Sequence, residues 1–588
     1  MKLRAACSLL LCGAPLWAQT TGATFGEVVR LGGAPSDAVL DESRGRIYLV
    51  NQSANRVDAY SYIEKTVVRS YAVGTSPVAA ALSPDLRYLY VSNNGSSSLS
   101  VIDLSLDRVV RTVSLTAKPE GVAAGIDGRV LISTEGTSST DQVDSLLIYD
   151  ASQAQGSQVQ PVPFPPPPAT PTGISVTIGR PTTTFRGKLA VTADGAFIIG
   201  LSTVNNNSQT IVFVYEVRSG SILRSRTVTG QSTVLSVAPD GSRFMAGYTM
   251  YDTATLNVIA QYNSANVPFP LSSTGANFNS IQNMGGSAFA PDGAILYSAF
   301  NVAPATTPAT RPQASTLLVS NPRNLAVSLG IKIPESIVAK MLILSNGEEA
   351  WGLSESGLVY LPLGKLYDYP ILMPETTTVF LSWDDCTRGL AKASLRILNL
   401  GRGKLTFNVP DPGAALVAQA ASGVAPSTIE FTMEPGRTNI TRYYGTNLYS
   451  GASSNTGTAV SLNLSSPDAI NIPNTIRVFM NYRHADQRGV VYPLPTGLTV
   501  AEGLHDIVVD ERRNRVYISN AGYNRIEVFD KVKQRFIEPM EAGQLPHQMA
   551  LSSDGQHLWV ANTGGESIIR IDLDTGKIDG AVFFGVYR

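Results

Sequence analysis

A 42-residue repeat is the feature that most limits what this chain can fold into. Pro35, Pro77 and Pro119 lie 42 residues apart, and Leu504 and Pro546 repeat that spacing near the C-terminus. Each copy reads as an alternating apolar strand, a polar turn, a second apolar strand that ends in Asn, and two further strands. A unit of four short strands has two apolar faces, which it can bury only against neighbouring copies.

Weaker copies of the unit fill the middle of the chain. Four turn dipeptides mark them: Asp194-Gly195, Asp240-Gly241, Asp292-Gly293 and Asn346-Gly347. Pro-rich insertions at 161–172 and 302–312 stretch the spacing and read as surface loops. We count nine units, seven before residue 375 and two after residue 497. The expected fold class is therefore all-β, a β-propeller of seven to nine four-stranded blades.

The repeats also resemble a known family. The segments "LYVSNNGSSSLSVIDLS" and "LWVANTGGESIIRIDLDTGKI" are similar to the YVTN-type β-propeller repeat, a relative of the NHL and lactonase-like propellers. The resemblance is strong over residues 30–115 and 498–588, whereas residues 180–372 mostly lack the Asn at the strand end. It implies an exported prokaryotic protein, because repeats of this type are found in such proteins, including those of surface layers.

Residues 376–496 interrupt the repeat with short strands that lack the blade signature, which predicts an immunoglobulin-like β-sandwich. The run "LTFNV…APSTIEFTMEPG…INIPNTIRVFMNY" resembles bacterial Ig-like modules of the BACON type, which are often associated with surface carbohydrate. We therefore expect a first propeller part over 24–375 with about seven blade units, the sandwich over 376–496, and two last blade units over 497–588.

The position of the two C-terminal units decides the architecture. Two units cannot bury their outer faces alone, since a stable stack needs about three or more repeats. We expect them to dock against the N-terminal units and close one ring, with the sandwich inserted between blades. A seven-bladed ring with a separate two-blade appendage is the alternative.

The first 18 residues predict a secretory signal peptide, because Lys2 and Arg4 precede an apolar run and Ala18 offers a small residue for cleavage. The expected location is periplasmic or extracellular. A formal net charge of −1 gives no electrostatic basis for nucleic-acid binding. No later segment has the roughly 18 apolar residues of a membrane span. Outside the leader only Cys386 remains, without metal-binding Cys or His spacing, so no metal or other cofactor is expected.

Equivalent blade positions predict where a site would form. The two residues after the leading Pro, or after the Leu that replaces it, lie where the innermost strand begins, at the rim of the central channel. Five titratable side chains occupy these positions: His505, His547, Glu120, Asp37 and Asp506. In a single ring they would converge, and could bind a metal or a sugar hydroxyl or act as acid and base. The alternative is structural: rim side chains that are hydrated or hydrogen-bond a neighbouring blade.

Three functions are compatible with these features. They are a non-catalytic binding protein, a lactonase-like or lyase-like enzyme that uses the channel mouth, and a structural component of a surface layer. No complete catalytic motif occurs, and Gly-x-Ser-x-Gly in particular is absent. We therefore favour a binding or interaction protein whose propeller face and Ig-like insert present loops to a protein or a glycan at the cell envelope.

Overall fold

A computed structural model of the chain describes residues 23–135, 145–163, 187–204, 209–229, 234–262, 267–269, 285–300, 315–384, 391–412, 416–433, 458–483, 490, 492, 494–495 and 503–584. The expected leader (1–18), Cys386 and the loop 302–312 lie outside these ranges. The fold is all-β, as expected, with short 3₁₀ helices at Glu42–Arg44, Leu363–Asp368 and Ala521–Tyr523. A search of the described residues for a helix of membrane-spanning length and hydropathy found none.

Seven antiparallel blades follow one another around a central channel. A leading strand, β1 (Glu27–Arg30), precedes them. In chain order the blade strands are β2 (Asp37–Asp41), β3 (Arg46–Asn51), β4 (Arg56–Ser61), β5 (Thr66–Ala72); β6 (Pro77–Leu82), β7 (Tyr88–Asn93), β8 (Ser98–Asp103), β9 (Arg108–Ser114); β10 (Pro119–Ala124), β11 (Val130–Thr134), β12 (Leu146–Tyr149), β13 (Val159–Pro161); β14 (Lys188–Val191), β15 (Phe197–Val204), β16 (Gln209–Glu216), β17 (Ser221–Thr229); β18 (Leu235–Val237), β19 (Arg243–Ala246), β20 (Thr249–Asp252), β21 (Val258–Gln261); β22 (Gly286–Phe289), β23 (Leu296–Phe300), β24 (Ser315–Ser320), β25 (Val327–Ile333); and β26 (Ile337–Ile343), β27 (Ala350–Ser354), β28 (Gly357–Leu361).

The ring closes between the seventh blade and the first. Strand β1 pairs antiparallel with β28 and so supplies the fourth strand of the seventh blade. The innermost strand β26 contacts β2 of the first blade. A buried core joins these two blades, in which Trp351 packs edge-on against Tyr60 with ring centroids 5.8 Å apart. Every other pair of neighbouring blades shares a similar core, and these cores are the principal apolar burial of the ring.

The chain then forms two facing sheets and a separate two-stranded sheet. Their strands are β29 (Leu372–Pro374), β30 (Thr378–Asp384), β31 (Ala391–Asn399), β32 (Leu405–Asn408), β33 (Leu416–Ala418), β34 (Ser422–Ala425), β35 (Ser427–Met433), β36 (Thr458–Leu462), β37 (Asn471–Ile472) and β38 (Ile476–Arg483). Leu395 and Ile429 of the sheet β29-β31-β35-β33 share one buried core with Leu381 and Val478 of the sheet β30-β38-β36. Strand β37 instead pairs with β25, which attaches this unit to the sixth blade. Its immunoglobulin-like assignment stays a prediction.

The last two blade units do not close the ring, contrary to our expectation. Their strands are β39 (Leu504–Asp510), β40 (Arg515–Asn520), β41 (Arg525–Asp530), β42 (Arg535–Glu541), β43 (Pro546–Leu551), β44 (His557–Asn562), β45 (Ser567–Asp572) and β46 (Lys577–Phe583). They pack on each other through one core and form what we call the two-blade unit. The physical reason is that β1 already completes the seventh blade, so no gap remains for further blades. The two facing sheets therefore follow the ring and do not interrupt it.

The two-blade unit docks on the outer strands of the ring through polar contacts. The Glu566 carboxylate binds the Arg226 guanidinium of β17 with two contacts of 2.6 Å, and also accepts the Val258 amide at 2.9 Å. Gln544 accepts the Gln261 amide at 2.6 Å, and its own amide donates to the carbonyl of the same residue. The outer strands of the ring thus supply contacts that two blade units outside a ring would otherwise lack.

The strand-end Asn has a structural role in the repeat. Asn93 is fully buried and its Nδ2 donates to Ser98 and Ser100. A Cβ on Gly74, in the connection that leads into the blade, would lie 2.7 Å from Asn93 Cγ. Gly543 meets Asn562 in the same way in the last unit. In these two units, a Gly three residues before the leading Pro therefore makes room for the Asn at the end of the second strand.

Candidate functional site

The central channel of the ring contains a cavity of about 320 Å³. Its walls come from the innermost strands of six blades, and small apolar side chains dominate them: Ala79, Ala80, Ala81, Ala123, Ala190 and Ala339. Charge enters at three side chains, those of Asp37, Lys188 and Lys340. A narrow channel with apolar walls and few charges makes each of those charges important for what can bind there.

Asp37 connects three blades through its carboxylate. Its Oδ1 accepts the amide of Ala38 at 2.9 Å and Lys340 Nζ at 2.8 Å, while Oδ2 accepts the amide of Ala80 from the second blade at 3.0 Å. Burial alone would raise the pKa of Asp37, but the ammonium groups of Lys340 and Lys188 outweigh it and hold the pKa below its usual value. Asp37 is therefore ionised and fully engaged in joining blades.

A β-bulge brings Lys340 to Asp37. The register of β26 shifts between Ile337 and Met341, and Ala339 adopts φ +70, in the left-handed region. A Cβ on Gly286 of the neighbouring blade would lie 2.7 Å from the Lys340 carbonyl carbon, so only glycine fits against the bulge. A left-handed alanine is strained, and such bulges commonly redirect a side chain. Here the strain accompanies the ion pair between the seventh and first blades.

Glu120 makes the corresponding connection between the third and fourth blades. Its side chain is 4% exposed, and Oε2 accepts the amide of Gly187 at 2.6 Å. The Ser133 hydroxyl accepts the amide of Gly121 at 2.9 Å beside it. Like Asp37, this carboxylate therefore links two blades through a hydrogen bond.

Asp506 repeats the contacts of Asp37 in the two-blade unit. Its Oδ1 accepts the amide of Ile507 at 2.8 Å, and Oδ2 accepts the amide of Met549 at 2.7 Å. Met549 lies 43 residues after Asp506, and Ala80 lies 43 residues after Asp37. The same acid in the same place thus joins consecutive blades in both parts of the molecule.

His505 and His547 lie side by side on the first strands of the two-blade unit. Their rings stack with centroids 3.6 Å apart and planes 18° apart. Burial, followed by the charge of His505, lowers the pKa of His547 below its usual value. The lone pairs of two stacked imidazoles point along nearly parallel planes, so this arrangement does not converge on one metal ion. The stack therefore disfavours a proton on His547.

The structure divides the five predicted residues between two units. Asp37 and Glu120 lie on the inner strands of the ring, whereas His505, Asp506 and His547 belong to the two-blade unit, outside the ring. The prediction of one convergent cluster depended on a single ring that included the last two units. Of the five, His505 and His547 are in direct ring contact, because they occupy equivalent positions of consecutive blades.

Sequence reasoning missed Lys188 and Lys340. Lys188 and Lys340 lie four residues before Thr192 and Leu344, which occupy the turn position that Ser83 has in the second blade. Asp37 likewise lies four residues before Asp41 in the first blade. The shared backbone contacts of the turns support this register, for example from the amide of Leu344 to the carbonyl of Glu349. An alignment on the turn, in place of the Pro that the degenerate units lack, would have found both lysines.

A further acidic group was also missed. Ligand atoms of His557, Asp572 and Asp579 lie within 4.8 Å of one another, the only such group that the described residues contain. Asp579 already binds the Arg570 guanidinium at 2.9 and 3.1 Å, and Asp572 Oδ1 accepts the amide of Thr575 at 2.7 Å. Arg570 offsets one of the two acids, so the group is a surface charge network.

Comparison with known proteins adds information on part of the chain. Residues 473–582, which are 110 of the 588, match a family described as "Lactonase, 7-bladed beta-propeller". No curated protein matches the chain. Hydrazine synthase of Kuenenia stuttgartiensis is 12% identical, and the match covers 96% of this chain and 100% of that one with a TM-score of 0.29.

The β-propeller domain of Cps50 (Swd1) from Myceliophteria thermophila is also 12% identical. That match covers 57% of this chain and 99% of the domain, with a TM-score of 0.41. The propeller fold predicted from the repeats is confirmed, as the sheets themselves show. The chain is an all-β, propeller-forming protein whose C-terminal part is similar to the lactonase-type β-propeller family.

Proposed function

We propose that this chain is an exported, non-catalytic binding protein that presents its propeller surface and its two-sheet unit to a glycan or a protein at the cell envelope. The export part of the proposal rests on the charged and apolar pattern of residues 1–18.

Asp37 gives the strongest support for a non-catalytic role. A general base must be free to take a proton, and works best with a pKa near the operating pH. The pKa of Asp37 is below its ordinary value, and both of its oxygens accept hydrogen bonds from neighbouring blades. A carboxylate that holds blades together in this way is a poor acid or base.

Lactonase-like catalysis is the second candidate, and the match of residues 473–582 favours it. That range includes the two-blade unit, in which the inner strands of only two blades meet. A site built on the channel of a complete ring would instead use the ring of residues 27–361, which lies outside the matched range. We therefore place binding ahead of catalysis.

Turnover assays separate the two candidates. Hydrolysis of γ-butyrolactone and δ-valerolactone, and β-elimination on polygalacturonate, should stay at the buffer rate with or without Ca²⁺, Mn²⁺ or Zn²⁺. An immobilised glycan array and sedimentation with isolated cell walls should in turn show retention of the protein. If turnover is detected, and if Lys340→Met abolishes it while Lys365→Met preserves it, the chain is instead an enzyme with its active site in the channel.

A further inference from the structure

A second cavity lies between the fourth and fifth blades. It has a volume of about 460 Å³ and opens among the turns that follow β14, β18 and β20. Lys188 begins β14 and Thr192 follows its last residue, so this cavity lies at the opposite end of that strand from the charged channel site. The two cavities are therefore separate places on the ring.

The walls of this cavity are largely apolar. Phe197, Val214, Leu223 and Pro239 line it. Leu223 keeps 49% of its surface exposed although it belongs to a regular strand, β17. Leu223 and the Phe197 ring line the same cavity and offer apolar surface on which a small molecule can pack.

Two polar side chains of the cavity lack partners in the described part of the chain. Arg224 is exposed, and its guanidinium has no hydrogen bond or ion pair with any described residue. Thr253 is 9% exposed, and its buried Oγ1 has no hydrogen-bond partner. That oxygen has almost no solvent-accessible surface, so of these two groups only the Arg224 guanidinium is open to a ligand.

Carboxylates complete the rim of the cavity. Asp194 Oδ1 accepts the Thr192 hydroxyl at 2.6 Å, and Asp252 Oδ1 accepts the Thr255 hydroxyl at 2.7 Å. No described residue donates to Oδ2 of either aspartate, so the Oδ2 atoms of Asp194 and Asp252 remain available as acceptors. Asp240 adds a third carboxylate, which its own turn holds through Ser242. Three acids against one guanidinium make the rim negative, which disfavours an anionic ligand.

We propose that this cavity is a saccharide-binding site for a neutral sugar of a glycan, an inference that rests on the proposed binding function. A sugar ring combines an apolar C–H face with hydroxyls that both donate and accept hydrogen bonds. Phe197 and Leu223 would pack on the face, free carboxylate oxygens would accept from the hydroxyls, and Arg224 would donate to them.

Thermal shift and isothermal titration calorimetry on the mature chain test the proposal with a panel of neutral hexasaccharides: maltohexaose, cellohexaose, mannohexaose, xylohexaose and chitohexaose. At least one member should raise the melting temperature, because a ligand that prefers the folded state stabilises it. Hexagalacturonate, which is anionic, should not. If no neutral member binds, the proposed saccharide site is wrong. The proposed binding function is tested separately by the turnover assays described above.

Two variants locate the binding. Arg224→Ala should weaken the saccharide's Kd about tenfold, the effect of one lost hydrogen bond of 1.4 kcal/mol. Thr253→Val should leave the Kd unchanged, because the hydroxyl that it removes is not accessible to a ligand. Without saccharide, Thr253→Val should melt at or above the wild-type temperature, because it removes an unsatisfied hydroxyl. Arg218→Ala, an exposed arginine in the turn before β17, is the matched control and should bind as wild type does. Wild-type affinity in Arg224→Ala would overturn the proposed site and leave the binding function intact.

Discussion

The imidazole rings of His505 and His547 stack with their centroids 3.6 Å apart. Each histidine is the second residue of the innermost strand of one blade of the two-blade unit. A proton on one ring repels a proton on the other. The pKa of His547 lies below its usual value because of its burial and because of His505. The two blades are thus joined by a contact that weakens when either ring is charged.

Removal of one ring should change the titration of the other. We expect His505→Gln to raise the pKa of His547 towards the ordinary value of about 6.5, because the nearby charge is lost. The imidazole C–H signals of the four histidines, followed by NMR between acid and neutral pH, measure this change. His557→Gln is the control and should leave His547 unchanged. An unaltered His547 titration in His505→Gln would contradict the coupling.

The same pair predicts a direction for stability with pH. His547 binds a proton more weakly in the folded state than in the unfolded state, whose pKa is about 6.5. Its contribution is therefore fully present above that pH and is lost as the pH falls through the folded-state pKa. The melting temperature of the two-blade unit should fall over this range in wild type and fall less in His547→Gln. An identical slope in both proteins would rule out this histidine as the cause.

The contact between these histidines was predictable, whereas the unit that contains them was not. Their equal offset in two copies of the repeat indicated neighbouring positions in consecutive blades. Ring closure instead depends on the four residues of β1, "EVVR", which carry no repeat signal. A four-residue strand pairs with β28 only because the folded ring brings that edge beside it, and such long-range pairing leaves no local pattern. Lys340 is a different case: an alignment on the turn would have identified its position, but only the fold shows that a bulge turns its side chain to Asp37.

Asp37 and Asp506 allow a matched comparison of the acid that joins blades. Asp37→Asn should lower the free energy of unfolding by about 2 kcal/mol, because a buried acceptor for Lys340 and two amides loses its charge. Asp506→Asn, which affects two amide bonds and no lysine contact of this kind, should cost about 1 kcal/mol.

Urea unfolding measures both changes, with Trp351 reporting on the ring and Trp559 on the two-blade unit. The double variant of Asp37→Asn with Lys340→Met should lose less than the sum of the two single losses, since the lysine then has no charge to leave unpaired. Strict additivity would show that the ion pair does not join the first and seventh blades.

Ala339 offers a test of the strain in the bulge. Its φ of +70 is unfavourable for any residue with a Cβ, so Ala339→Gly should raise the free energy of unfolding by roughly 0.5–1 kcal/mol after the entropy cost of glycine. Ala190→Gly lies in the same channel wall without this conformation and should lower it by about 0.5–1 kcal/mol. Equal losses in the two variants would mean that the backbone at Ala339 is unstrained.

The closure of the ring by β1 can be tested with two truncated chains, for which we expect opposite results. A chain that starts at residue 32 lacks β1 and also Phe25, which is fully buried in the core between the sixth and seventh blades. Loss of that ring alone should cost about 3 kcal/mol or more, and the exposed edge of β28 should promote aggregation. A chain that ends at residue 495 loses the two-blade unit, its polar contacts with the outer strands and the contact between Tyr523 and Thr377. Trp351 fluorescence and thermal melting should therefore show a destabilised ring in the first chain and a nearly unchanged ring in the second, whereas a single ring closed by the last two units would unfold in both.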